Sequence, residues 1–87
     1  MNYEVKFHKD AVKSIQKLDK SSRNRILDHI NILAENPKSP ELDIKKMQGL
    51  DNHYRLRIGT FRVVYTIFQD KLIITIIRVG SRGDVYK

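Results

Sequence analysis

The sequence predicts a small α+β domain in which an N-terminal strand and a two-helix hairpin pack on an antiparallel β-sheet. Three observations carry that prediction. The chain changes period early, from strict alternation over residues 3–7 to helical spacing beyond His8. Residues 54–68 alternate again on both sides of Gly59-Thr60. A further strand-like stretch, 71–79, follows a turn signal at Gln69-Asp70. A chain of 87 residues has room for one domain, 1–87, and for a modest core.

Taken in order, Tyr3, Val5 and Phe7 alternate with Glu4 and Lys6, the pattern of a short strand with one buried face. Ala11, Val12, Ile15 and Leu18 then recur at helical spacing, with Lys9, Lys13, Gln16, Lys17 and Lys20 around the other side. A second helix carries Ile26, Ile30 and Leu33, joined by Leu27 and Ala34. Asp19, Ser21 or Ser22 can cap its start. Asn36-Pro37 ends it, because the residue before proline is pushed out of the α region. Few residues separate the two helices, so an antiparallel hairpin is expected. Pro37, Ser39 and Pro40 mark a loop, residues 44–50 hold a short imperfect strand, and Asp51-Asn52-His53 read as a turn.

Glycine in the first position of a two-residue loop favours a type II′ hairpin turn at Gly59-Thr60. That loop sets Ile58 opposite Phe61 and Arg57 opposite Arg62. Arg55, two residues before Arg57, shares their face. Three guanidinium groups thus converge on one side of a hairpin whose sequence contains no acid. Directly opposed like charges destabilise a sheet, so an anionic partner is expected there. A two-residue loop at Gln69-Asp70 sets Tyr65 opposite Ile74, Val63 opposite Ile76 and Arg62 opposite Ile77. One face then collects Tyr54, Leu56, Ile58, Phe61, Val63, Tyr65, Ile67, Leu72, Ile74 and Ile76 for packing on the helices. The other carries Arg55, Arg57, Arg62, Val64, Thr66, Ile73 and Thr75. The first strand is expected to join this sheet, since alone it is unstable. Residues 80–87 read as a tail.

The chain carries 17 basic and 10 acidic side chains, a net charge of +7. Nucleic acid, the ribosome or an acidic protein fits that balance. Without cysteine there is no disulfide framework, no zinc knuckle and no thiol chemistry. The start of the chain lacks the apolar core of a signal peptide, and no apolar run reaches the ~18 residues of a membrane helix. A cytoplasmic protein is expected. His8, His29 and His53 follow no metal-ligand spacing and neighbour no nucleophile motif, so neither a metal nor a cofactor is expected. What remains is Arg55, Arg57, Arg62, Arg82, Tyr86, Lys45 and Lys46. Arginine makes bidentate contacts with phosphate and stacks on bases, and tyrosine can stack or move a proton. RNA can supply its own nucleophile through the 2′-hydroxyl. These residues point to nucleic-acid binding, with metal-independent RNA cleavage as the chemistry within reach.

The strand-helix-helix opening, residues 45–50, 54–59 and 61–65, and the ending Arg78-Val79-Gly80-Ser81-Arg82-Gly83-Asp84-Val85-Tyr86 resemble the RelE/ParE superfamily of bacterial toxins in order and spacing. The resemblance covers nearly the whole chain, and its specific part begins at Tyr54. The RelE branch, which cleaves mRNA in the ribosomal A site, resembles this chain more than the ParE branch, which poisons DNA gyrase. The resemblance implies a RelE-like fold and a type II toxin that inhibits translation. It implies as partners a cognate antitoxin, the ribosome with its rRNA, and mRNA. It implies attack of the 2′-hydroxyl on the adjacent phosphate, leaving a 2′,3′-cyclic phosphate and a 5′-hydroxyl. Arg62 matches the family's phosphate-binding arginine, Arg82 its late arginine near the leaving group, and Tyr86 its near-terminal tyrosine. Arg55 and Arg57 stand where the RelE branch often has two lysines, and Lys45 and Lys46 add RNA-facing charge. Arginine holds phosphate but does not release its proton. The resemblance then places proton abstraction on Tyr86 or an rRNA group, or implies a weaker activity. A gyrase inhibitor, or a catalytically weak binding protein of the same fold, is the alternative.

Overall fold

The computed structural model describes residues 2–81, and the period changes in the sequence become its elements. They are β1 (Glu4–Phe7), α1 (Lys9–Gln16), α2 (Lys20–Glu35), β2 (Asp43–Lys46), β3 (His53–Ile58), β4 (Phe61–Phe68) and β5 (Ile73–Ser81). The five strands form one mixed sheet in the order β1-β5-β4-β3-β2. β2 to β5 run antiparallel, and β1 joins β5 in parallel with Val5 beside Ile74.

Both helices cover one face of that sheet. Ala11 and Ile15 from α1 and Ile26, Ile30 and Leu33 from α2 form one buried cluster with Leu56, Ile58, Val63, Tyr65, Ile67, Ile74, Ile76 and Val79. Val12 stays exposed. The helix ends follow local chemistry. The His8 ring accepts from the Asp10 amide at 3.1 Å and opens α1. Asp19 opens α2, its carboxylate accepting from the Ser22 amide at 3.1 Å. Those hydrogen bonds hold the Asp19 carboxyl below its usual value. Asn36, extended before Pro37, closes α2. The amide of Tyr3 donates to the carbonyl of Ala34 at 2.8 Å and ties the start of the chain to the end of α2.

The first hairpin follows the expected register: Ile58 faces Phe61 and Arg57 faces Arg62. Gly59 has φ +59° while Thr60 does not enter the left-handed region, as a type II′ turn requires. The second hairpin differs from expectation. Its loop spans four residues, 69–72, and Phe68 pairs with Ile73, Ile67 with Ile74 and Tyr65 with Ile76. Gln69-Asp70 offers no glycine for a tight primed turn. A longer loop closes with Leu72 at φ +54°, so Leu72 lies in the turn and not in the strand. Farther along, a β-bulge between Val64 and Tyr65 breaks the register, leaving Ile77 as the extra residue. Arg62 therefore faces Gly80 and not Ile77, and β5 continues through Gly80 and Ser81, which the sequence places in the tail.

The imperfect strand is shorter and earlier than 44–50. Only Asp43–Lys46 pair with β3, and the chain turns from Met47 to Asn52 with Gly49 and Asn52 at positive φ. His53 already belongs to β3.

Two stability measurements check these local arguments. Gly59→Ala puts an L side chain at positive φ, with its Cβ 3.1 Å from the Arg25 Nη1, and is expected to destabilise the protein by about 1–2 kcal/mol in urea unfolding. Asp19→Ala is expected to melt lower than Asp19→Asn, which keeps a capping acceptor. Because the native Asp19 pKa is lowered, its contribution is full above the unfolded carboxyl pKa and fades as the pH falls through the native value. The difference in melting temperature between parent and Asp19→Ala therefore narrows in acid.

Candidate nucleic-acid interface

The sheet face away from the helices carries the charge. In register it presents Asp43 and Lys45 from β2, His53, Arg55 and Arg57 from β3, and Arg62, Val64, Thr66 and Phe68 from β4. β5 adds Ile73, Thr75, Arg78 and Gly80, and β1 adds Glu4 and Lys6. The two carboxylates of this face sit on the edge strands. Glu4 forms an ion pair with Lys6 at 3.6 Å. Asp43 stands across from Arg57, and among the described residues no ion pair joins them. The central strands β3, β4 and β5 contribute only positive charge.

This arrangement brings together Lys45, Arg55, Arg57 and Arg62. Lys45 lies opposite Arg55, and Arg57 opposite Arg62. Arg57 is exposed, whereas Arg55 and Arg62 are half-buried and the Arg62 Nε is shut off from solvent. Lys46 separates from Lys45. It pairs with Tyr54, on the register of the core face, because adjacent residues of a strand point to opposite sides. Both lysines still line a depression of about 340 Å³ with Met47, Gln48 and Arg55 at the end of β2. Arg82 and Tyr86 lie outside the described residues.

Val64 and Thr66 are 7% and 8% exposed although, among the described residues, no helix covers their side of the sheet. They lie on β4, the middle strand, with neighbours on both flanks, so the charged face has a buried floor, apolar at Val64.

Two basic residues escape the sequence reading. Arg78, exposed, joins the charged face opposite Val64. Unbroken alternation from Ile74 and Ile76 would turn it toward the core. The bulge reverses that parity and puts Val79 inside, 4% exposed. The signal is present in the sequence: apolar Ile76-Ile77 are adjacent, and Arg78 occupies the next position of the apolar series. Arg25, from α2, lays its guanidinium against the turn at Gly59, where a Cβ would be 3.1–3.3 Å from it. Helical periodicity alone gives no hint of that contact.

The remaining polar chemistry is local. His29 Nδ1 donates to the Arg25 carbonyl and His53 Nδ1 to the Asp51 carbonyl, each at 2.7 Å. Among the described residues, no three His, Cys, Asp or Glu side chains are grouped to hold a metal ion. Tyr54 and Tyr65 stack on the core face at 5.7 Å between ring centres. Burial pushes the Tyr65 phenol well above its usual pKa and keeps it protonated. No helix among the described residues is long and apolar enough to cross a membrane.

Comparison with known proteins gives this face a setting. Residues 5–86 match the family described as the ParE toxin of the parDE type II toxin–antitoxin system. A putative RelE-like toxin protein of Escherichia coli is 38% identical over 99% of the chain and 92% of its own length. The mRNA interferase toxin RelE of Escherichia coli K12 is 28% identical over the same shares. The archaeal RelE in the RelE-RelB complex from Pyrococcus horikoshii superposes with a TM-score of 0.83 at 34% identity, covering 97% of this chain and 99% of its own. The chain therefore belongs to the ParE toxin family of type II toxin–antitoxin systems, as a toxin of the RelE-like kind.

Proposed function

We propose that this toxin is a ribosome-dependent, metal-independent endoribonuclease that cuts mRNA in the A site and so stops translation in the cytoplasm. The observation that carries the reading is the central sheet surface with Arg57 directly opposite Arg62, Arg55 on the same face, and carboxylates only on the edge strands. Guanidinium groups match phosphate oxygens in pairs and stabilise the charge that builds on a phosphorane. The relative named an mRNA interferase supports the same chemistry.

In the proposed reaction the 2′-oxygen bonds to the adjacent phosphorus and the bond to the 5′-oxygen breaks. The products are a 2′,3′-cyclic phosphate and a 5′-hydroxyl. One proton leaves the 2′-hydroxyl and one reaches the departing oxygen. The nucleophile belongs to the substrate, so no metal-activated water is needed. Arg62 binds the scissile phosphate, Arg55 and Arg57 hold the flanking backbone, and Arg82 neutralises the leaving group. Tyr86 orients the substrate. Since arginine does not act as a base at neutral pH, the first proton goes to Tyr86 in its phenolate form or to an rRNA group. Lys45 adds RNA-facing charge beside Arg55, with Lys46 at the strand end. The partner that restrains the toxin is a cognate antitoxin, by analogy with the archaeal RelE-RelB complex.

Purified toxin added to a translating extract is expected to produce new mRNA 5′-hydroxyl ends within ribosome-occupied codons. Intact mRNA with translation running normally would contradict the proposal. Loss of DNA supercoiling by gyrase in its place would move the protein to the gyrase-inhibiting reading. Arg62→Ala is expected to slow single-turnover cleavage by about 10²–10³-fold, the scale of removing one preorganised donor from a charge-stabilising site.

A further inference from the structure

Arg78 was absent from the set of residues that the hairpin assembles, and three observations give it a role. The bulge at Val64/Tyr65 takes it off the core register and sets it on the arginine face. Its side chain is exposed, and among the described residues no carboxylate forms an ion pair with it. The pairing of β1 with β5 ends at Phe7 beside Ile76, so no β1 residue stands over Arg78.

The spacing is also suited to a chain of phosphates. Arg62 faces Gly80, and Arg78 is two residues back on β5. One strand spacing across and two residues along put the two Cα atoms roughly 8 Å apart. Gly80 contributes no side chain between them. Arg55 lies on the other flank of Val64, roughly 10 Å from Arg78 across two strand spacings. Arg55, Arg62 and Arg78 therefore surround the apolar Val64 from three strands.

We propose that Arg78 is a substrate-positioning residue that binds an RNA phosphodiester next to the one held by Arg62, and that the β-bulge exists in this chain to deliver it there. The inference rests on the endoribonuclease reading. It makes the phosphate track cross the sheet from β3 through β4 to β5 and not follow the first hairpin alone. Arg78 takes no part in proton transfer. It strengthens the hold on the RNA beside the phosphate at Arg62 and leaves the chemical step to the other residues.

The test uses the full-length toxin on ribosomes programmed with a defined mRNA, in single-turnover cleavage over a range of ribosome concentrations. Arg78→Ala is expected to raise the half-saturating concentration about tenfold, the loss of one charge-assisted hydrogen bond, with the maximal rate within about twofold of the parent. Arg78→Lys is expected to recover most of the affinity. Lys71→Ala, which removes a charge in the loop at the far end of β5, is expected to match the parent. A methylphosphonate at one phosphate flanking the cut that makes the parent resemble Arg78→Ala identifies the phosphodiester as one of the mRNA. If no such position exists while the Arg78→Ala defect stands, the phosphodiester belongs to rRNA. Parent-like cleavage by Arg78→Ala, or an equal defect in Lys71→Ala, overturns this inference and leaves the endoribonuclease reading standing. No cleavage by the parent overturns both.

Discussion

The pairing of Arg57 with Arg62 across a two-residue turn is the constraint on which the rest of the molecule depends. Opposed guanidinium groups repel, and the turn that opposes them needs glycine at positive φ. The opposite face of the same hairpin resolves the conflict. Leu56, Ile58, Val63 and Tyr65 are each at most 2% exposed against the helices. A one-residue slip would put those four side chains in solvent and the arginines in the core. Burial of the apolar face therefore fixes the register, and the register forces the arginines together. Arg25, reaching from α2 to the turn, adds a contact between the helical layer and the tip of the hairpin.

The sheet around this hairpin is organised by sign of charge. Both carboxylates of the outer face stand on the edge strands, one of them beside Lys6 in an ion pair. The middle of the face is left cationic over buried Val64 and Thr66, the first of them apolar. A guanidinium above apolar surface is poorly shielded, so an incoming phosphate meets a stronger field than in open water. The bulge extends this surface onto β5. One extra residue, Ile77, is enough to turn Arg78 outward and Val79 inward.

Much of this was legible in the sequence because it depends on period and turn chemistry. Alternation around Gly59-Thr60 gave the hairpin, its register and the common face of Arg55, Arg57 and Arg62. The helices were legible from Ile26, Ile30 and Leu33, and the end of α2 from Asn36-Pro37. The second hairpin was misread because Gln69-Asp70 resembles a two-residue turn by composition, yet lacks the glycine such a turn needs. The bulge was missed because a period-2 reading carries parity forward without limit, and only the adjacent Ile76-Ile77 marks the break. Lys45 and Lys46 read as one basic pair, but a strand separates neighbours. Periodicity left the partner of β1 undecided, since parallel pairing with β5, the last strand, depends on where α1 and α2 carry the chain.

The central claim is that the opposed arginines are kept for an anionic substrate at some expense to the fold. Arg57→Thr tests it most directly, because Arg57 is exposed, faces Arg62, and threonine suits a strand. Thermal unfolding and single-turnover mRNA cleavage are measured on the same preparation. The account predicts a melting temperature at or above that of the parent, together with weaker cleavage. A lower melting temperature with cleavage unchanged would contradict it, and would make Arg57 a residue of the fold and not of the site.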